Sequence, residues 1–189
     1  LPYLAGKWDS PTIHDALERI LGAGGFDVVY IDHLGMARYA DRVRRLCPKA
    51  RLVIEAHNVE SDFFRQFAEQ RSGPARWAGL AEWRATQRFE RQVLRGADAV
   101  VAISQDDART LALQTGAVPL CVPQVVDFQR RQSSDPAAPP QLCYVGNLTW
   151  HPNVEGLDWL CARVWPEVRR QLPPGVQQPF VFKLAQDAA

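Results

Sequence analysis

Short apolar runs alternate with longer amphipathic stretches along the first 125 residues. Ile13, Leu17, Ile20 and Leu21 share one stripe at helical spacing, which predicts a helix over residues 12–21. The run at 26–32, rich in β-branched residues and bounded by Gly24 and Gly25, predicts a strand. Similar runs follow at 51–56, 97–103 and 118–122. They are near-continuous in apolar character, the pattern of parallel strands covered on both faces. Helical patterns separate them at 36–46, at 74–95 and, after Ser104, to about residue 114. Ser104 with Asp107 has the spacing of a capping box. Glu60 and Ser61 can open a further helix. Strand and helix in alternation predict an α/β fold, a Rossmann-like doubly wound parallel sheet.

The alternation breaks at 129–140, where a polar, proline-rich stretch without apolar period reads as a linker. A fresh strand is expected at Leu142–Val145, turned by Gly146. Asn153 is placed to cap a helix running to about residue 170, with Leu157, Leu160, Cys161, Val164 and Val168 on one face. A last strand is expected at 180–184. The predicted organisation is one domain over 1–128, the linker over 129–140, and the start of a second Rossmann-like domain over 141–189. The chain opens on Leu1-Pro2 and closes on a lone strand with a polar tail, so the first domain is expected to be incomplete at its start and the second truncated.

Composition narrows the function only a little. With 189 residues and 47% hydrophobic positions the chain can bury a core, and a net charge of +1 gives no global attraction to nucleic acid. Cys47, Cys121, Cys143 and Cys161 lack paired spacing and are expected as buried free thiols. His14, His33, His57 and His151 lack metal-ligand spacing, so no metal is predicted. No window is apolar enough to span a bilayer and no signal peptide opens the chain; a cytoplasmic location is expected.

The candidate chemistry lies at the strand ends. The run Arg51 to Ala56 stops at His57-Asn58, with Glu60 and Ser61 just beyond. Asp32-His33, Ser104, and Asn147 after Gly146 occupy equivalent places. In open α/β sheets ligands bind beyond the carboxyl ends of the strands, where a histidine can bond a sugar hydroxyl or move a proton. The same residues can instead be loop and capping groups, Ser104 above all. On the long helix, Arg84, Arg88, Arg91 and Arg95 share one face, near Trp77 and Trp83. That face can be a peripheral patch for anionic lipid or an ordinary solvated surface.

These stretches together resemble the family 4 glycosyltransferases, which have the two-domain GT-B fold. The resemblance rests on Phe26-Asp-Val-Val-Tyr30, His57-Asn-Val-Glu-Ser61, Phe89-Glu-Arg91 and Ala97-Asp-Ala-Val-Val-Ala-Ile-Ser104. It continues through Val122-Pro123 to Asp127 and through Tyr144-Val-Gly-Asn-Leu-Thr-Trp-His-Pro-Asn-Val-Glu-Gly156. It implies transfer of a hexose from a nucleotide-sugar donor to a glycan or lipid-linked acceptor, with retention of anomeric configuration. It also implies no cofactor, and a cell-surface polysaccharide as product, made at the inner face of a membrane.

By the same resemblance His57 is the catalytic residue, orienting the reacting groups. Asn58, Glu60, His33, Ser104, Gly146 and Asn147 are the substrate-binding candidates. The family's glycine-rich acceptor loop and paired-glutamate segment have no counterpart in this sequence. Nor does the arginine and lysine pair that clamps the diphosphate, so the chain alone is not expected to turn over substrate. Two rival readings remain: a GT-B nucleotide-sugar epimerase, and a non-catalytic paralogue serving as an interaction module.

Overall fold

The computed structural model describes residues 1–125, 142–149, 151–171 and 180–184. The chain divides into two compact units, Leu1–Asp127 and Phe128–Ala189. The predicted linker at 129–140 lies outside the described residues.

The first unit is built on four parallel strands in the order β1 (Val28–Asp32), β2 (Arg51–Ala56), β3 (Ala99–Ala102) and β4 (Leu120–Cys121). The helices are α1 (Tyr3–Lys7), α2 (Pro11–Leu21), α3 (Ala40–Leu46), α4 (Glu60–Glu69), α5 (Gly73–Gly96) and α6 (Gln105–Thr115), with a 3-10 turn at Leu34–Tyr39. The sheet and its helices match the α/β class expected from the alternation. Ile31, Leu52, Ile54, Ala56, Val100 and Ala102 are buried and form the sheet's part of the core, together with Leu94 of α5 and Leu111 of α6.

The expectation of two covered faces fails at β1. Val28 and Tyr30 are each 50% exposed and Asp32 is exposed, while Ile31 between them is buried. Period-two alternation therefore governs this strand: one face packs into the core and the other is open. The run Phe26-Asp-Val-Val-Tyr does not show this, because its open face carries apolar and aromatic residues.

The predicted elements shift in other places too. The 36–46 pattern starts earlier, as a 3-10 turn at Leu34, and becomes α-helical only at Ala40. The 118–122 run pairs over Leu120–Cys121 alone. Helix α1 has too few residues to show a period and was not anticipated. Ser104 does cap α6, accepting the Asp107 amide at 3.0 Å. The reciprocal half of the box is altered: the Asp107 carboxylate accepts the Ser104 hydroxyl at 2.6 Å.

In the second unit β5 (Leu142–Gly146) pairs in parallel with β6 (Phe180–Leu184). Between them lie α7 (His151–Trp159), a π-helical turn (Leu160–Val164) and α8 (Trp165–Gln171). Asn153 is not the cap; the helix starts two residues earlier and Asn153 Nδ2 donates to the Asn147 carbonyl at 2.9 Å. Cys161 corrects a second expectation: it is exposed, whereas Cys47 is buried and Cys121 half-buried. The side chain of Cys143 lies outside the described residues.

Candidate functional site

Parallel register brings the site together. Asp32 pairs with Glu55 and Tyr30 with Val53, so Tyr30, Asp32 and Glu55 stand on one face. His57 follows Glu55 by two positions, just past the carboxyl end of β2 (Ala56). Its Nε2 lies 2.7 Å from Asp32 Oδ1 and 3.5 Å from Glu55 Oε1. So close an approach between imidazole nitrogen and carboxylate is repulsive unless a proton lies between them, so Nε2 carries the proton. The Nδ1 edge of a neutral His57 ring is then an acceptor. The Tyr30 hydroxyl donates to the other Glu55 oxygen. Desolvation, then the bond to Glu55, pushes the Tyr30 hydroxyl up to about 12, so it stays a donor at neutral pH.

His33 joins from the end of β1. Its ring meets that of His57 edge-on, with centroids 5.5 Å apart. It is the sole non-glycine residue with positive φ among the described residues, at 77°. Such a conformation costs on the order of 1–3 kcal/mol and persists only where neighbours hold it. Here His33 Nδ1 accepts the Gly35 amide at 3.1 Å, which puts the proton of a neutral ring on Nε2. Nε2 faces Glu60 Oε1 at 3.6 Å.

Glu60 is the first residue of α4, whose N-cap, Val59, has no side-chain acceptor. The missing cap comes from α5: Glu90 Oε1 accepts the Glu60 amide at 2.8 Å. Glu90 is fully buried. Burial pushes its carboxyl up to about 7, against the hydroxyl and amide of Ser61 and the Glu60 amide, which favour the anion; the Glu60 carboxylate adds to the rise. Ser61 is itself buried, and its hydroxyl oxygen lies 3.1 Å from Gln114 Oε1, which brings the start of α4 against α6 as well.

Among the expected site residues, His57, His33 and Glu60 are thus in one connected cluster. Asn58 is exposed on the turn between His57 and α4. Ser104 stands past β3 at the same sheet edge, but its hydroxyl is engaged with Asp107. Gly146 and Asn147 belong to the second unit. Asn147 Oδ1 accepts the Thr149 amide and hydroxyl at 2.8 and 2.7 Å, which closes a local turn. A side chain built at Gly146 would come within 2.8 Å of the Tyr144 hydroxyl, so it would have to displace the end of that side chain.

Sequence reasoning left out Tyr30, Glu55 and Glu90, and it named Asp32 at a strand end beside His33 without carrying it into the site set. The alternation Tyr30/Asp32 against Glu55/His57 was the signal for the three on the sheet; for Glu90 the signal was its place in the Phe89-Glu-Arg91 stretch that carries the family resemblance. Asp32, Glu55 and His57 offer ligand atoms within 4.8 Å of one another, a set of two carboxylates and an imidazole that could hold a divalent ion.

The arginine face of α5 is divided in its duties. Arg91 donates to the Gln114 carbonyl at 3.1 Å and Arg95 to the Thr115 carbonyl, so both cap the C-terminus of α6. Arg84 stacks on Trp83. A pocket of about 110 Å³, lined by Arg38, Arg44, Leu52, Phe89 and Gly96 among others, lies toward the amino ends of the strands. It is separate from the histidine cluster.

No helix among the described residues is long and apolar enough to cross a membrane. A comparison with curated proteins finds no match. The family described as "Glycosyl transferase 4-like domain" matches residues 1–125, the span that carries the parallel sheet and both histidines of the cluster. On that match the chain belongs to the glycosyl transferase 4-like domain family, and its first unit is a glycosyltransferase domain.

Proposed function

We propose that this domain transfers a hexose from a nucleotide-sugar to a glycan or lipid-linked acceptor with retention, in cell-surface polysaccharide synthesis at the inner face of a membrane. The observation that carries the reading is His57 at the sheet's carboxyl edge, its Nε2 held between Asp32 and Glu55. With that nitrogen engaged, Nδ1 is the group left to meet a sugar hydroxyl. His33, Asn58 and Glu60 would border the sugar, and Ser104 would lie further along the same edge. Retaining transfer develops positive charge at the anomeric carbon and negative charge on the departing diphosphate, so fixed groups that need no reorganisation are what the site must supply. Gly146 and Asn147 of the second unit would serve the donor. The reading needs no cofactor beyond the nucleotide-sugar.

Calorimetric titration of UDP, GDP and their sugar conjugates, with and without EDTA, tests this directly. Saturable binding of one nucleotide family is expected, with the sugar conjugate binding more tightly than the bare nucleotide. His57→Ala should leave the bare nucleotide within about twofold and erase roughly tenfold of the sugar's increment, the size of one hydrogen bond. An unchanged increment would remove His57 from the sugar site. Loss of binding in EDTA would instead assign Asp32, Glu55 and His57 to a metal ion.

A further inference from the structure

We infer that Glu90, far from the sheet edge in sequence and sealed inside the domain, is the positioning residue of the histidine site: its carboxylate fixes the first turn of α4, and that turn fixes His33 and His57. The inference rests on the reading that this cluster is the functional site.

The chain of contacts is continuous. Glu90 Oε1 holds the Glu60 amide at 2.8 Å. The Glu60 carboxylate faces His33 Nε2 at 3.6 Å, and the His33 ring abuts that of His57. His57, Asn58 and Val59 are the three residues that join β2 to α4, so where α4 begins determines where His57 ends. Val59 cannot cap that helix. Nothing else on the turn provides an acceptor for the Glu60 amide among the described residues, and a charge-accepting cap from a neighbouring helix is the replacement.

A buried carboxylate is a costly way to hold a helix end if holding is all that is needed. A serine at position 59 would cap the helix locally, at the surface and without desolvating an ionisable group. What Glu90 adds is direction. It anchors the turn to α5, the longest element of the domain, which packs against α4 and buries Phe89, Val93 and Leu94 in the core. The positive φ of His33 fits the same account, because a strained residue keeps its place only when its neighbours are rigid.

The histidines report their own positions. Imidazole signals of the whole chain, followed by two-dimensional nitrogen–proton NMR, need no substrate, so this measurement stands whether or not the sugar-binding reading holds. In Glu90→Asp the carboxylate is one methylene short and withdraws from the Glu60 amide. The His33 and His57 signals should move while that of His14 stays. Glu90→Gln keeps a carbonyl acceptor at full length and should restore the wild-type pattern. Val43→Ala, a core cavity on α3, controls for general loosening and should leave both signals in place. Unmoved His33 and His57 signals in Glu90→Asp would overturn the inference. So would equal movement in Val43→Ala, or loss of folding in both Glu90 variants, since Glu90 would then be a structural residue alone.

Discussion

Glu90 also makes the clearest residue-scale statement about stability. Its folded carboxyl lies at about 7 and its ordinary value is 4.5, so the folded chain retains a proton that the unfolded chain has already given up. Between about pH 4.5 and pH 7 the folded state therefore binds more protons, and stability falls as pH rises. The contribution is full below pH 4.5 and is lost as pH rises through 7. The gap corresponds to about 3 kcal/mol. Burial sets it, opposed by hydrogen bonding from Ser61 and the Glu60 amide and reinforced slightly by repulsion from the Glu60 carboxylate. Urea unfolding at pH 5 and pH 8 should show wild type losing about 2–3 kcal/mol more than Glu90→Gln across that interval. Parallel losses in the two proteins would mean that the folded carboxyl ionises over the same range as the unfolded one. The ordinary instinct, that a buried acid stabilises most at high pH, has the wrong sign here because burial outweighs the three donors.

At the scale of elements, α5 shows how one sequence stripe can hold two kinds of residue. Arg84, Arg88, Arg91 and Arg95 are indistinguishable by spacing. Only the arrival of α6 separates them, because its last carbonyls need donors and Arg91 and Arg95 are the ones in reach. On the lipid-patch reading of this stripe, the residues left to serve it are Arg84 and Arg88, beside Trp77, which is 71% exposed. Arg84→Glu with Arg88→Glu should release the chain from anionic vesicles, by about 1 kcal/mol per charge removed near the surface, and leave its melting point nearly unchanged. Arg91→Ala or Arg95→Ala should do the reverse, lowering stability by roughly 0.3–1 kcal/mol with vesicle partition little altered. Vesicle co-sedimentation and thermal melting read the two effects separately, and a uniform response along the stripe would dissolve the distinction.

The same helix marks the limit of what the chain's pattern could show. Strand existence, parallel pairing and the N-cap at Ser104 follow from local patterns and were legible. The open face of β1 was not, since exposed Val28 and Tyr30 look like core residues until their neighbours are placed. Nor was the partnership of Glu90 with α4, which joins residues thirty positions apart.

At the scale of the molecule, the two units are unequal. The first, Leu1–Asp127, contains the four-stranded sheet, the described core and every residue of the histidine cluster. The second contributes a two-stranded sheet, and none of the residues in its π-helical turn or in α8 is buried. Two strands alone are marginal in water, whereas the first unit contains a buried core of its own. Under our proposal the work is divided the same way: the histidine cluster meets the sugar, and Gly146 with Asn147 serve the nucleotide. A chain ended after Asp127 should unfold cooperatively, with wild-type His33 and His57 signals, and should bind neither UDP nor GDP. Circular dichroism melting and calorimetry on the shortened chain check both halves. Retained nucleotide affinity would move donor recognition onto the strand ends of the first unit, where the N-terminus of α6 at Ser104 is the place an anionic phosphate would meet unpaired amides. The division of labour between the units would then be wrong, while the sugar-binding role of His57 would stand.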